Sequence, residues 1–179
     1  PIAYNTNLVK KEEAPKSFKD LLDPKWKGKL VKAHPGYSGT IMNATFEIAR
    51  DLGWDYLEKL AAQNVMQVQS ATDTPKKVAL GERAVMVDGA GYLVIRNKEA
   101  GQPIEIVSTF LGAHEFPDDK PRDAYIREIL DEMIPEVARR GLAEFNDVYC
   151  DDGYYTVAES REILERGREH GLKVKIHTD

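Results

Sequence analysis

The sequence has a single cysteine, Cys150, and no apolar run that approaches the length of a membrane span. A disulfide within the chain is therefore excluded, and the redox compartment stays open. A basic surplus is also missing, because 30 acidic residues outnumber 25 basic ones. The net charge of −5 gives no reason to expect nucleic acid or a membrane as partner.

The chain also lacks an internal repeat, a low-complexity tract and a Gly/Ser linker. It opens on "PIAYNTN", which does not have the pattern of a secretory signal, so we expect no such signal in this chain. The localisation stays unknown. What is present is 42% hydrophobic and 31% charged residues over 179 positions, the composition of an ordinary globular domain.

Short apolar runs alternate with helical patterns along the whole chain, which is typical of βα units and parallel strands. We predict an α/β fold whose single, mostly parallel sheet has helices on both faces. This is a three-layer sandwich that is flavodoxin-like or like one lobe of a periplasmic binding protein. The whole chain, 1–179, is expected to form this one hybrid domain. The predicted strands are 1–4, 29–33, 65–69, 84–88, 103–111, 144–150 and 173–177.

Helix boundaries carry their own signals. Thr74 before Pro75 predicts an N-cap, and Asp123 predicts the start of a long helix in which Pro135 marks a bend or break. Residues 156–159, "TVAE", form a capping-box pattern that predicts the last helix.

Charge is distributed unevenly about residue 107. Residues 1–107 carry a net charge of +2 and residues 108–179 a net charge of −7. Chance or an acidic lobe of one natural protein explains this as well as two origins do, so composition alone leaves the alternatives open.

The amino-acid sequence of residues 1–107 favours two origins. The segments "YNTNLVKKEEAPKSFKDLLDPKWKGKL", "HPGYSGTIMNATFEIARDLGW" and "VMQVQSATDTPKKVALGERAVMVDG" resemble the second lobe of periplasmic substrate-binding proteins of ABC importers for iron and small anions. This resemblance covers 1–107. It implies that ligand binds between two lobes, only one of which is represented here.

The second part resembles a different family. "STFLGAHEFP", "DEMIPEVARRGLAEFNDVYCDDG" and "SREILERGREHGLKVKIHTD" are similar, in that order, to imidazolonepropionase, a metal-dependent amidohydrolase with a TIM-barrel core. The resemblance covers 108–179 and implies a βαβαβ slice of the barrel. It also implies that His114 matches a substrate-contacting histidine and His177 a metal ligand. The HxH pair, the later barrel strands and the catalytic glutamate that would follow Asp179 have no counterpart.

Two incomplete fragments that meet without a linker inside a predicted strand indicate an engineered chimera. We expect no native function and no enzymatic activity from it. A weak anion-binding module and a residual metal-dependent amidohydrolase are the alternatives. A rival architecture is a partial barrel whose edge strands pair in a homodimer, and the chain is expected to be a monomer or a weak homodimer.

The stretch "HPGYSGT" carries the anion-binding hypothesis. Gly36, Tyr37, Ser38, Gly39 and Thr40 follow a predicted strand and open a helix, whose free N–H groups and dipole attract anions. Simple capping by Ser38 or Thr40 is the alternative. The expected partner is a small anion, with Ser70 and Thr72, which follow the next strand, facing the same crevice.

His114 and His177 are expected at the carboxyl ends of strands, where α/β proteins gather their sites. Because two histidines fall short of the three protein ligands that zinc normally needs, we predict vestigial, solvated histidines and no metal or other cofactor.

Overall fold

The computed structural model describes residues 1–178, and the chain divides into an N-terminal unit, Pro1–Val107, and a C-terminal unit, Ser108–Asp179. Each unit contains one sheet, five-stranded in the first and three-stranded in the second. The predicted α/β class is confirmed, since both sheets carry helices and most strand pairs are parallel. The predicted single continuous sheet is wrong.

The expected strand 103–111 is interrupted at the junction. Val107 N–H donates to the carbonyl of Ile2 at 3.0 Å, whereas the carbonyl of Ser108 accepts from Glu144 N–H at 3.0 Å. The Ser108 hydroxyl also donates to Leu142 O at 2.8 Å. Consecutive residues therefore bond to different units, because each unit provides its own partner strand, and the apolar run becomes two short strands.

The sheet of the N-terminal unit has the order β3-β2-β4-β1-β5. Strand β2 runs parallel to β3 and β4, while β1 runs antiparallel to β4 and β5. The strands are β1 Ala3–Asn5, β2 Leu30–Ala33, β3 Met66–Val68, β4 Val85–Met86 and β5 Ile104–Ile106.

Helices cover both faces of this sheet. Neighbouring side chains of β2 point to opposite faces: Lys32 Nζ donates to Thr45 of α1 at 2.8 Å, whereas Val31 packs with Val78 of α3 and Val94 of α4. This arrangement agrees with the predicted three layers. The helices are α1 Gly39–Leu52, α2 Trp54–Ala61, α3 Asp73–Ala79 and α4 Gly91–Glu99.

The C-terminal unit is an open sheet of three parallel strands in the order β6-β7-β8, and residues 108–178 form no closed barrel. This is the βαβαβ order that the second resemblance implies. The helices pack their apolar residues on Ala113 and Val148. The elements are β6 Thr109–Ala113, α5 Arg122–Glu128, α6 Ile134–Arg139, β7 Phe145–Tyr149, α7 Val157–Glu169 and β8 Lys173–His177.

Two of the predicted helix starts are wrong, and the other helix signals are confirmed. Thr74 lies inside α3, where its hydroxyl donates to Ala71 O at 3.1 Å, and Asp123 follows the true cap, Pro121. Pro135 does mark a break, because a π-helical segment, Ile129–Met133, separates α5 from α6. The capping box of α7 is present. Among residues 1–178, no helix has both the length and the apolar character needed to span a membrane.

Candidate functional site

In the N-terminal unit, the polar loops that follow β2 and β3 leave the same edge of the sheet. The two strands are parallel, with Ala33 opposite Val68, and His34 N–H donates to Val68 O at 2.8 Å. The carboxyl ends of parallel strands are where α/β proteins place ligands. The predicted anion segment 36–40 and the predicted Ser70 and Thr72 are therefore on one edge.

The loop after β2 confirms the capping interpretation. Its first residues form a 3₁₀ turn, in which Gly36 N–H donates to His34 Nδ1 at 3.0 Å. Ser38 is the N-cap of α1, and its hydroxyl accepts from Ile41 N–H at 3.5 Å. Tyr37 is 71% exposed and Thr40 is exposed.

Space for a ligand exists at the first residue of α1. A Cβ built on Gly39 would meet no heavy atom within 4 Å. The first N–H groups of a helix have no partner within the helix, so they are directed to whatever lies before it. Capping by Ser38 satisfies one of these groups and leaves others for an anion.

The loop after β3 places two hydroxyls together. Ser70 Oγ and Thr72 Oγ1 are 2.8 Å apart, and Thr72 N–H donates to Ser70 Oγ at 3.2 Å. The loop after β4 is bound to it, since Ala90 N–H donates to Ala71 O at 3.1 Å. A Cβ on Gly89 would lie 2.0 Å from Thr74 Oγ1 and 3.2 Å from Ala71 O, so the loop after β4 lies close to the first turn of α3 and to the loop before it.

A buried ion pair that sequence reasoning missed lies beside this edge. Lys32 Nζ is 2.6 Å from Asp88 Oδ2, and both side chains are less than a tenth exposed. Burial raises the pKa of Asp88, against the opposing effect of the Lys32 ammonium. A lysine within the apolar strand "LVKA" was the available signal, because a buried lysine requires a counter-charge.

In the C-terminal unit, both predicted histidines lie at carboxyl ends of strands. His114 directly follows β6, and His177 is the last residue of β8. Their ring centroids are 5.4 Å apart, although β7 lies between the two strands. Sequence order alone predicted the position of each histidine but not this proximity.

Asp147 of β7 joins the two histidines and was missed by sequence reasoning. Its Oδ2 lies 3.1 Å from His177 Nδ1 and 3.6 Å from His114 Nε2. Burial lowers the pKa of His114, although the Asp147 carboxylate opposes this shift. The histidines were predicted to be solvated, and His177 is exposed. The sequence did not predict that Asp147, which is 3% exposed, lies close to both rings. Its signal was an acidic residue within an otherwise buried strand.

The metal centre that the imidazolonepropionase resemblance implies does not fit these residues. Of His114, Asp147 and His177, only His177 matches a metal-ligand position of that family. The other two donors here come from different positions, so the native ligand set is not reproduced.

A family model for bacterial extracellular solute-binding proteins matches residues 1–118. The chain belongs to this family. The match covers the N-terminal unit and continues past Val107 and through β6 to residue 118. The periplasmic binding protein AfuA from Actinobacillus pleuropneumoniae, solved with exogenous fructose-6-phosphate, is similar at 32% identity and a TM-score of 0.52. That alignment covers 58% of this chain and 34% of AfuA.

A second solved solute-binding protein supports the fold alone. The substrate-binding protein of an ABC transporter from Agrobacterium tumefaciens aligns with a TM-score of 0.53 at 9% identity, over 98% of this chain and 56% of that protein.

Part of the chain is also similar to imidazolonepropionases. The enzyme of Geobacillus thermodenitrificans is 60% identical over 79 residues, which are 43% of this chain and 19% of the enzyme. The enzyme of Geobacillus kaustophilus is 56% identical over the same length. Both resemblances seen in the sequence are thus confirmed, and the chain spans about a fifth of these enzymes and about a third of AfuA.

Proposed function

We propose that this chain is an engineered chimera, made by recombining a solute-binding-protein fragment with an imidazolonepropionase-like fragment, and that it has neither parent's native function. Two observations support this proposal. The two parts are similar to two different kinds of protein, a solute-binding protein and imidazolonepropionase, and the two units meet at Val107–Ser108 without a linker. Natural fusions join complete domains through flexible linkers.

The function that the geometry supports best is weak binding of a phosphate-bearing small anion. The observation that carries this proposal is the open space at Gly39, where the N-terminus of α1 shares a sheet edge with Ser70 and Thr72. Backbone N–H groups and hydroxyls there suit phosphate oxygens. AfuA, which is similar over this region, was solved with a sugar phosphate.

Affinity is expected to be weak, because a solute-binding protein encloses its ligand between two lobes. One lobe contributes only half of that enclosure, so we expect a dissociation constant well above about one micromolar. Tighter binding would favour a true binding module over a chimera without native function.

Substitution of Gly39 tests the site directly. Gly39→Glu places a carboxylate where the anion is proposed to bind, and like charges about 4 Å apart repel by ~1–4 kcal/mol. The open space and the helix N-terminus both tolerate this side chain. We expect calorimetry to show binding of inorganic phosphate and fructose-6-phosphate that is weaker by about fivefold or more, because each 1.4 kcal/mol changes the dissociation constant by a factor of about ten.

Gly39→Gln is the matched control, because it adds nearly the same volume without charge. It should weaken phosphate binding far less than Gly39→Glu does. Free fructose should show no binding at this edge, since it lacks the phosphate. Equal effects of the two substitutions, or equal binding of fructose, would contradict an anion site.

Catalysis is not expected. Amidohydrolase chemistry needs a metal to polarise water and a carboxylate to move its proton, and of His114, Asp147 and His177 only His177 matches a metal-ligand position of that family. We expect no hydrolysis of imidazolonepropionate above background with or without added zinc or iron. Turnover that disappears in His177→Ala would overturn this expectation.

The remaining partner assignments follow from charge and size. The net charge of −5 argues against nucleic acid and anionic membranes as partners. We propose a monomer or a weak homodimer, which light scattering after size exclusion distinguishes.

A further inference from the structure

Three donor groups of the C-terminal unit converge at the carboxyl edge of its sheet. His114 Nε2 or Nδ1, an Asp147 carboxylate oxygen and a His177 ring nitrogen all lie within 4.8 Å of one another. We propose that His114, Asp147 and His177 together bind a divalent transition-metal ion such as Zn²⁺. This site is separate from the proposed anion site and does not depend on it.

The three strands determine this convergence. In the parallel register, Val148 lies opposite both Ala113 and Ile176, so the strand ends are level across β6, β7 and β8. His114 follows Ala113 directly. Side chains two residues apart share a face of a strand, and the pairing of Tyr149 with His177 brings the His177 ring diagonally next to Asp147.

The distances agree with a tetrahedral ion. Two zinc bonds of about 2.0–2.2 Å at a tetrahedral angle hold their donor atoms about 3.3–3.6 Å apart. Asp147 Oδ2 lies 3.1 Å from His177 Nδ1 and 3.6 Å from His114 Nε2. Small side-chain movements would therefore bring all three donors to bonding distance of one ion.

Two of the donor groups have buried atoms without a hydrogen bond. Among the described residues, His114 Nε2 and Asp147 Oδ1 are buried and have no hydrogen-bond partner. Such atoms are rare in folded proteins and call for an unseen water or ion. A metal ion would use the free lone pair of His114 and neutralise a carboxylate that is 3% exposed.

The proposed ligand set differs from the one implied by the imidazolonepropionase resemblance. That resemblance makes His177 a metal ligand and His114 a substrate contact, and it gives Asp147 no role. Two imidazoles and a carboxylate are ligands that zinc accepts, and three protein ligands leave a further position open to water. The site is thus a product of this chain's own geometry.

A nearby cation opposes metal binding and provides a sensitive test. Lys175 stands beside Asp147 on β8, with its Nζ 3.4 Å from Thr109 Oγ1 and 4.0 Å from the centre of the Phe145 ring. A positive charge near the carboxylate weakens the attraction of Asp147 for a second cation.

Metal titration of the full chain, prepared without a histidine tag, tests the proposal. We expect saturable binding of one Zn²⁺ per chain by calorimetry, and of Co²⁺ with the intense visible absorption of tetrahedral coordination. Two variants each remove one ligand: His114→Ala, and Asp147→Asn, which preserves the shape of the side chain. Each should weaken zinc binding by more than about tenfold, because loss of even a residue that only hydrogen-bonds a metal ligand costs at least that much. His170→Ala, an exposed histidine after α7, is the matched control and should bind like the parent.

Lys175→Met separates metal binding from misfolding, because it should strengthen binding where the ligand variants weaken it. Circular dichroism of each variant establishes that it is folded. Absence of saturable binding by the parent chain, equal loss in His170→Ala, or unchanged affinity in Asp147→Asn would each overturn the proposal.

Discussion

Both units place polar groups at the carboxyl ends of parallel strands, but the groups differ in kind. In the N-terminal unit the edge offers the N–H groups before α1 and the hydroxyls of Ser70 and Thr72, which suit an anion. In the C-terminal unit it offers imidazoles and the Asp147 carboxylate, which suit a cation. Strand direction therefore determines where the polar groups collect, whereas the residue types at that edge determine which class of ligand they suit.

The units also differ in how they hold their charges. The N-terminal unit buries the Lys32–Asp88 pair inside its layers, with both side chains less than a tenth exposed. In the C-terminal unit, the ion pair between Arg122 and Glu159 is partly solvated: the two side chains are 39% and 23% exposed. A buried charge that loses its partner costs far more than an exposed one, so the same kind of substitution should have unequal effects in the two units.

The largest effect is expected from Lys32→Met. This change leaves the Asp88 carboxylate buried without its counter-charge, and breaking such a pair costs about 3–5 kcal/mol. Urea unfolding at neutral pH should show this loss. Lys76→Met removes a pair with Asp73 whose side chains are 63% and 39% exposed, and it should cost no more than about 1 kcal/mol. Similar losses for both variants would contradict the expectation that burial sets the cost of removing a charged partner.

A smaller effect is expected from Gly167→Ala in the C-terminal unit. A Cβ there would lie 2.6 Å from Asn146 Nδ2, a buried group that donates to Ile163 O at 2.9 Å. Alanine normally stabilises a helix interior by about 1 kcal/mol relative to glycine. Overpacking should reverse that sign and destabilise the unit by about 1–3 kcal/mol in urea unfolding.

Gly39→Ala is the matched control for this prediction. It also adds a methyl group to a helical glycine, but in open space. It should leave stability unchanged or slightly increased. A stabilising Gly167→Ala would show that α7 and β7 are not packed as closely as described.

The smallest effect is the pH dependence that Glu159 confers. Hydrogen bonds from Arg122, and then from Thr156, lower the pKa of Glu159 from 4.5 to about 2. Since the folded pKa is depressed, this stabilisation is fully present above about pH 4.5 and is lost as pH falls towards 2. Because the pair is partly exposed, we expect about 1 kcal/mol.

Glu159→Gln should therefore be about 1 kcal/mol less stable than the parent at neutral pH and nearly equal to it near the acid end of this range. Chemical unfolding across the pH series measures this difference. Glu162→Gln, on the exposed side of α7, should produce no such convergence. A constant difference at every pH would mean that ionisation of Glu159 is not its source.

The sequence predicted helices and strands well where residues close together in the chain determine the local structure. The strands around Val31 and Val148 form where apolar runs predicted them, and the Thr156 capping box starts α7 as expected. Thr74 was a wrong prediction because its hydroxyl bonds back to Ala71 O inside a buried turn. Helix α3 begins one residue earlier, at Asp73, so the fully buried Thr74 lies inside the helix and cannot cap it.

Local residue patterns are enough to predict the α/β class, the two resemblances that meet near residue 107, and the edge positions of Ser38, His114 and His177, because each depends on neighbours along the chain. The folded chain alone shows that Val107 and Ser108 bond to different partners, that Lys32 is paired with Asp88, and that Asp147 lies between two histidines. The reason is physical: hydrogen bonds between strands and the pairing of buried charges join residues far apart in the chain. No local pattern records which of those distant partners will meet.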